Sequence, residues 1–398
     1  MRRIDLKKVQ AAHLNTIRDI NRQIVLNYVR EREPISRAEI AREAALQRST
    51  VSEIIELLEA EGLVEEIGAG ESTGGRRPTL LRLRTAGAIA MGVAITPTIT
   101  TVATSDLAGR VIEQETFLTD PNVDHTLGRT IDLVRKLSER NKGSLEGVGV
   151  SIPGLVDPGT GCAIFVPYFK WRDFPVAERI SRATGLPVTI DNDANAVALA
   201  ELWFGRPEVS DARDFILVLV AEGVGTGIIF DGQVYRGERG AAGEFGHMVV
   251  GADAPAACSC GSYDCWEAFS SERAALARYL RLCSQAQPTE SPAFPTLVDR
   301  ALQGEENAQK ALKDMAHYLG IGISNLIVGF SPEAVVVGGE ITRAWSFVES
   351  SLKEKIERSV RQGLPSSRIL PSTLGEQPTL RGALSLVLAS KFATAFAA

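Results

Sequence analysis

Between Gly243 and Glu267 the chain reads Gly-Glu-Phe-Gly-His, then ten residues, then Cys-Ser-Cys-Gly-Ser-Tyr-Asp-Cys-Trp-Glu, so His247, Cys258, Cys260 and Cys265 fall within nineteen residues. One metal ion can gather all four side chains, and a fold containing this stretch has to bring them to a single point. Thiolates are soft ligands and zinc imposes no geometry of its own, so a Gly-containing loop can wrap it. Four unrelated buried residues would be the plainer reading. Tight spacing in a chain with only five cysteines favours a metal over disulfides. Three thiols and an imidazole close a tetrahedron, so the expected Zn2+ is structural rather than catalytic.

The 398 residues suffice for one small and two ordinary domains. The Met1–Lys8 stretch lacks the apolar core of a signal peptide, and no apolar run approaches the ~20 residues of a membrane span. These features predict a cytoplasmic protein without membrane contact, with Cys162 and Cys283 as free buried thiols. The net charge of -6 is unevenly spread: residues 1–84 carry 15 Lys and Arg against 13 Asp and Glu, so the acidity lies in the remainder. The front piece is the part that polyanionic DNA would tolerate.

Periodicity predicts a helix over Asn21–Arg30 with Ile20, Ile24, Leu26 and Val29 as core positions, stopped by Pro34. Ser36-Arg-Ala-Glu39 is a capping box opening a helix over Arg37–Glu43. After a turn at Ala44–Leu46, a third helix is expected over Arg48–Glu61, with Val51, Ile54, Ile55 and Leu58 on its inner face and Gly62 ending it. Its outer N-terminal face, Gln47, Arg48, Ser49, Thr50 and Ser52, offers short donors and a cation suited to base edges and phosphates in a major groove. Two alternating strands, Leu63–Ile67 and Thr79–Arg84, flank a Gly-rich basic tip containing Arg76 and Arg77, which suits a minor groove. Three short helices and a basic hairpin make a winged helix-turn-helix over residues 1–84. A protein-docking module with a solvated loop is the plainer alternative. Glu53 and Glu56 make the third helix less basic than most DNA readers.

Residues 85–398 read as α/β. Strands are expected at Ala88–Ile95, Thr100–Asp106, Val111–Leu118 and Leu145–Ile152, with a helix over Thr126–Arg140 before the last. The order recurs weakly from Phe215, with strands at Phe215–Val220, Gly225–Phe230 and Gln233–Tyr235, which suggests two lobes around a cleft. Pro153-Gly154 turns at the end of a strand. Asn192 and Asp193 sit where the strand Val188–Ile190 meets a helix over Ala194–Phe204, aimed at the crevice. With Glu244, His247 and Glu267 they supply carboxylates and amides able to bridge vicinal hydroxyls, which suits a sugar. Taken alone, Asp193 would read as a helix-capping carboxylate.

The Glu-x-Gly-His and Cys-x-Cys-Gly-x-x-x-Cys-x-Glu stretches resemble the signature of the ROK family (repressors, open reading frames and sugar kinases). The Thr-Gly-Gly-Arg-Arg-Pro wing is similar to that of its repressors, and the layout resembles its xylose-type and N-acetylglucosamine-type members. Gln47 stands where relatives often place Ser. The resemblance implies a two-lobed, actin-like, sugar kinase-like core (zinc loop 247–265) behind the winged helix-turn-helix. It also implies that Asp193 matches the kinases' catalytic base, and that Asn192, Glu244, His247 and Glu267 hold the sugar, beside the Gly154 turn, whose backbone N–H can face the same ligand. His247 would then ligate zinc through one ring nitrogen and face the sugar with the other.

Kinase relatives carry Asp-x-Gly-Gly-Thr-Lys after the first strand; here Ala94-Ile-Thr96-Pro97-Thr98-Ile99 stands instead, and only Thr98 survives. Pro97 lacks an N–H, and Cβ atoms at 96 and 97 crowd the approach that phosphate needs. Glu222 adds a carboxylate to the second phosphate loop, Ala221–Gly227. Val337-Gly-Gly-Glu340 still resembles the adenosine-side motif. The reading is therefore a sugar-responsive transcriptional regulator, expected to act as a homo-oligomeric repressor of carbohydrate genes on an operator, and not an enzyme. An active sugar kinase with a DNA-binding head is the alternative, and a zinc-stabilised protein that binds DNA constitutively is a third.

Overall fold

The computed structural model describes residues 14–70, 77–84, 89–141, 145–283, 292–361 and 363–392. Its head contains helices Leu14–Arg32, Arg37–Glu43 and Arg48–Ala60, and strands Ile35–Ser36, Val64–Ala69 and Thr79–Leu83. The Ser36 capping box forms in both directions, its hydroxyl accepting from Glu39 N–H while the Glu39 carboxylate accepts from Ser36 N–H. Val51, Ile54, Ile55 and Leu58 are buried as their spacing requires, and Gly62 takes φ +75° after the helix. The first helix departs from expectation. It starts at Leu14, and its core face is Val25, Leu26 and Val29, whereas Ile20 and Ile24 are only half-buried. Residues 25, 26 and 29 share one face of a 3.6-residue repeat, and 20 and 24 point to the other side of the helix. The Ile35–Ser36 strand, pairing with Thr79–Leu83, is too short to show in the sequence.

The core contains two five-stranded sheets of one topology. In the first, Val111–Leu118, Ile99–Ser105 and Ile89–Ile95 pair antiparallel in that order; Leu145–Ile152 and then Val188–Asn192 add in parallel. In the second, Gln233–Val234, Val224–Phe230 and Phe215–Val220 pair antiparallel; Ala334–Gly338 and Arg368–Pro371 follow in parallel. The duplication reaches two strands beyond the three readable after Phe215, because helices at 266–330 separate those strands in sequence.

Two helices lie between the sheets. Asp193–Phe204 leaves the last strand of the first sheet and packs on the second; Pro378–Phe392 leaves the second and packs on the first; and the two pack against each other. Val123–Arg140 and Val176–Thr184 cover the outer face of the first sheet. Phe294–Leu302, Glu306–Phe330 and Trp345–Ser359 cover that of the second. Cys162 and Cys283 are half-buried rather than buried.

The head is joined to the core through the first helix. The Arg30 guanidinium carbon lies 4.7 Å from the Trp203 ring and 5.1 Å from the Phe392 ring, and Nη1 donates to the Trp203 carbonyl at 2.8 Å. Asn27 Nδ2 donates to the Phe392 carbonyl at 2.9 Å. The Arg30 side chain is 11% exposed, and burial lowers its pKa from the ordinary arginine range. Arg30→Ala should destabilise the chain to urea by about 2 kcal/mol, and Arg30→Lys should restore little, because a compact ammonium cannot stack on two rings and donate as well. Unchanged urea midpoints in both variants would show that the cage contributes nothing.

Candidate functional site

The first sheet ends at the cleft in two turns. Gly154 has φ +93°, and a Cβ there would lie 2.4 Å from the Phe165 carbonyl oxygen, so the turn requires glycine. Its own carbonyl accepts from Asn192 Nδ2 at 2.8 Å. Asn192 Oδ1 accepts from the N–H groups of Ala194 and Asn195, so Asn192 rather than Asp193 caps the Asp193–Phe204 helix. Asp193 sits at the first helical position on the cleft wall, where its Oδ1 also accepts from Ala194 N–H at 2.8 Å. Asp191 beside them is 1% exposed and receives Arg236 Nε of the second lobe at 2.8 Å, an ion pair that ties the lobes.

From the second lobe come Glu244 and His247, on a 3-10 turn, and Glu267, at the start of the helix Trp266–Ser270. The cleft brings Gly154, Asn192, Asp193, Glu244, His247 and Glu267 onto one wall system. It adds Tyr168 and Ser259, which no motif marked. Tyr168 arrives on the turn between the paired strands Cys162–Val166 and Trp171–Phe174 of a small antiparallel sheet, and Ser259 on the cysteine loop, so only the tertiary fold places them here. Burial and the nearby Glu267 raise the Tyr168 pKa, keeping its hydroxyl protonated.

The two glutamates differ in what they already bind. Glu267 is 5% exposed in its side chain. Its Oε1 accepts from Arg273 Nη2 (2.9 Å), Ser259 Oγ (3.0 Å) and Ser259 N (3.2 Å), and its Oε2 from Val224 N (3.3 Å). Such a carboxylate joins the cysteine loop to the second sheet and has little capacity left. Glu244 is 44% exposed, and among the described residues its polar partner is His247 Nε2 at 3.5 Å. It is the carboxylate with acceptors to spare.

His247 faces two ways. Nε2 looks toward Glu244 and the cleft, and Nδ1 lies 3.3 Å from Cys258 Sγ. Cys258 Sγ is 3.2 Å from Cys260 Sγ, which is 3.8 Å from Cys265 Sγ, and the four donor atoms all lie within 4.8 Å of one another. Tetrahedral thiolates around zinc stand about 3.8 Å apart. The donor set fits such an ion.

The loops Thr96–Ile99 and Ala221–Gly227 face each other. Thr96–Ile99 is a tight turn closed by Thr96 Oγ1 on the Ile99 carbonyl, and Thr98 Oγ1 donates across the cleft to Glu222 Oε1 at 3.3 Å. The glycines kept in the second loop have packing duties. A Cβ at Gly223 would lie 2.3 Å from Glu267 Oε2, one at Gly225 2.8 Å from Ala194 Cβ, and one at Gly227 2.4 Å from the Ala194 carbonyl. Their retention therefore does not itself signal phosphate binding.

In the head, Gln47, Arg48 and Ser49 are exposed and Thr50 and Ser52 half-exposed on the third helix. Arg37 pairs with Glu59 and Glu66, Arg22 with Glu61 and Arg82 with Glu65. Among the described residues no carboxylate pairs with Arg48 or Arg77. Arg76 lies outside the described residues.

A winged helix-turn-helix carried on a duplicated, actin-like, two-lobed core defines a DNA-binding head on a sugar kinase-like body. The chain belongs to the ROK family, whose profile matches residues 90–390; a winged helix-turn-helix DNA-binding profile matches residues 18–65. It is 31% identical over 377 residues to the xylose repressor of Bacillus spizizenii, covering 94% of this chain and 96% of that protein. It is 28% identical over 392 residues to the DNA-binding transcriptional dual regulator NagC of Escherichia coli (strain K12), covering 96% and 95%. A ROK family glucokinase from Streptomyces griseus, solved with glucose and AMPPNP, superposes with TM-score 0.68 at 28% identity over 75% of this chain and 99% of that one. A ROK family transcriptional regulator described as a homologue of the E. coli MLC protein shares the fold over 95% of this chain, with TM-score 0.78 and 24% identity.

Removal from water raises the Asp193 pKa to about 7, and the Glu222 and Glu244 carboxylates add to the rise. A carboxyl raised on folding favours the protonated native state. Its contribution to stability is full below the ordinary 3.8 and is lost as pH climbs through about 7. Asp193→Asn keeps the acceptor for Ala194 N–H and removes the charge. The variant should be more stable than the parent at pH 8 by on the order of 2 kcal/mol, with the difference vanishing near pH 4. Parallel unfolding curves at both pH values would refute a perturbed Asp193.

Proposed function

We propose that the chain is a sugar-responsive DNA-binding repressor of carbohydrate-utilisation genes, working as a homo-oligomer on an operator. The observation that carries this reading is the contrast within one cleft. Asp193, Glu244 and His247 Nε2 present a polar wall suited to sugar hydroxyls, while the turn at Thr96–Ile99 and Glu222 occupy and charge the place where ATP phosphates would lie. The curated relatives bearing the same two parts are named as repressors and a DNA-binding regulator. Residues 1–84 would read DNA through Gln47, Arg48, Ser49, Thr50, Ser52, Arg76 and Arg77, and residues 85–398 would sense the sugar.

A route between them runs along the Asp193–Phe204 helix. Its first turn lines the cleft, and Trp203 near its far end holds Arg30 of the head. Sugar that favours one lobe arrangement shifts this helix's surroundings and with them the heads, changing operator affinity by the sugar's differential affinity for the two states. The near-neutral Asp193 favours the alternative, an active sugar kinase, since it is suited to a general base. Sugar-dependent ADP release lost in Asp193→Asn would establish that alternative.

The cysteine cluster is read as a structural zinc site, with His247, Cys258, Cys260 and Cys265 as ligands. Cys260→Ser should lower zinc content and core stability together; purified protein free of zinc would refute the assignment. The functional test is operator binding titrated with a panel of aldoses and amino sugars. Glu244→Gln should bind operator normally without sugar yet need about tenfold or more of the active sugar, the usual cost of losing one acceptor from a buried polar contact. Superimposable titrations of parent and variant would remove Glu244 from the site.

A further inference from the structure

On the second lobe, away from the cleft, Arg278 of the helix Glu272–Leu282 borders an open hollow of about 540 Å³. Its Nη1 donates to the Phe269 carbonyl, and its guanidinium carbon lies 5.0 Å from the Tyr318 ring, which stacks on Phe269 at 4.5 Å. These contacts fix the guanidinium in one orientation. Its Nη2 is buried and has no hydrogen-bond partner. A buried donor without a partner costs stability, and one on a cation costs more.

The surroundings compound the deficit. Arg281, one turn along, and Lys310 and His317, from the facing helix Glu306–Phe330, line the same hollow, with Asp253 and Asp314 as its acidic residues. Among the described residues no carboxylate forms an ion pair with Arg278, Arg281, Lys310 or His317. The field of Asp314 partly supports Arg278, while Arg281 works against it. Burial and Lys355 lower the His317 pKa, so at neutral pH it offers an uncharged imidazole N–H. A guanidinium fixed in orientation, two further cations and an imidazole around one hollow match the several oxygens and double charge of a phosphate group.

We propose that this hollow is a second ligand site that binds a phosphate group, free or as a small monoester. No residue is shared with the sugar cleft, so the site is separate from it. It is nonetheless linked to it: the Phe269 carbonyl that holds Arg278 lies two residues beyond Glu267, on the same short helix. An anion seated on Arg278 stiffens that helix and the cysteine loop, whose Pro255 carbonyl accepts from Arg281 at 3.1 Å.

The test needs neither sugar nor DNA. The full-length protein is titrated at fixed ionic strength with inorganic phosphate and, separately, with glycerol 3-phosphate, and binding is read by calorimetry and by 31P line width. Saturable binding is expected for at least one of the two, and the tighter one identifies the source as free phosphate or ester. Arg278→Gln should weaken it about tenfold or more, the usual loss for a charge-assisted hydrogen bond. Because Arg278 is partly buried, Lys310→Ala, at an exposed position, provides the independent variant and should weaken binding several-fold with unchanged thermal unfolding. No saturable binding of either anion, or parent-like binding in both variants, overturns the proposal. A change of sedimentation in Lys310→Ala without loss of phosphate binding would also overturn it, and would assign the hollow to a subunit contact.

Discussion

The arrangement of the two lobes rests on how closely the two inner helices approach each other and the sheets. A Cβ at Gly382 would lie 2.8 Å from the Ala196 carbonyl carbon, and one at Gly149 1.9 Å from the Ala383 carbonyl oxygen. At Gly92 the obstacle would be Leu384, and at Gly225 and Gly227 it would be Ala194. Hydrogen is the one side chain that fits at these crossings. The helix Asp193–Phe204 answers with Ala194, Ala196, Ala198 and Ala200, all fully buried. Close-packed interiors transmit displacement rather than absorb it, so whatever moves one end of this helix acts on the other.

That geometry brings two loops, one from each lobe, toward each other: the turn Thr96–Ile99 and the loop Ala221–Gly227 face one another across the cleft. Here Thr98 and Glu222 meet across it, and Arg273 Nε donates to the Glu222 carbonyl at 2.7 Å while its Nη2 holds Glu267. Three elements around the cleft, the turn Thr96–Ile99, the loop Ala221–Gly227 and the helix Glu272–Leu282, are thereby connected to one another, and this side of the cleft forms part of the polar contact between lobes.

The cysteine loop has a related double character. His247 shares its ring between the thiols and Glu244, and Glu267 shares its carboxylate among Ser259 of the loop, Val224 of the second sheet and Arg273. A metal held by these thiols would fix the wall of the cleft without entering it.

Much of the local structure was legible in the sequence. The capping box at Ser36, the inner face of the third helix, Gly62, and the strands Val111–Leu118, Leu145–Ile152 and Phe215–Val220 are set by contacts within one element, where propensity and period act directly. The spacing of His247 and the three cysteines determined their convergence for the same reason, since a short loop leaves them few other places to go. What the sequence could not reveal depends on partners far along the chain. The capping of the helix by Asn192 rather than Asp193 is decided by the Gly154 carbonyl, the placing of Tyr168 by a loop from a separate small sheet, and the difference between a saturated Glu267 and an open Glu244 by Arg273 and Val224. Burial of Val25 in place of Ile24 follows from how the head packs, and the cage around Arg30 joins residues 30, 203 and 392. Local rules fix which elements form; only the tertiary structure decides which polar groups remain unspent once those elements have satisfied one another.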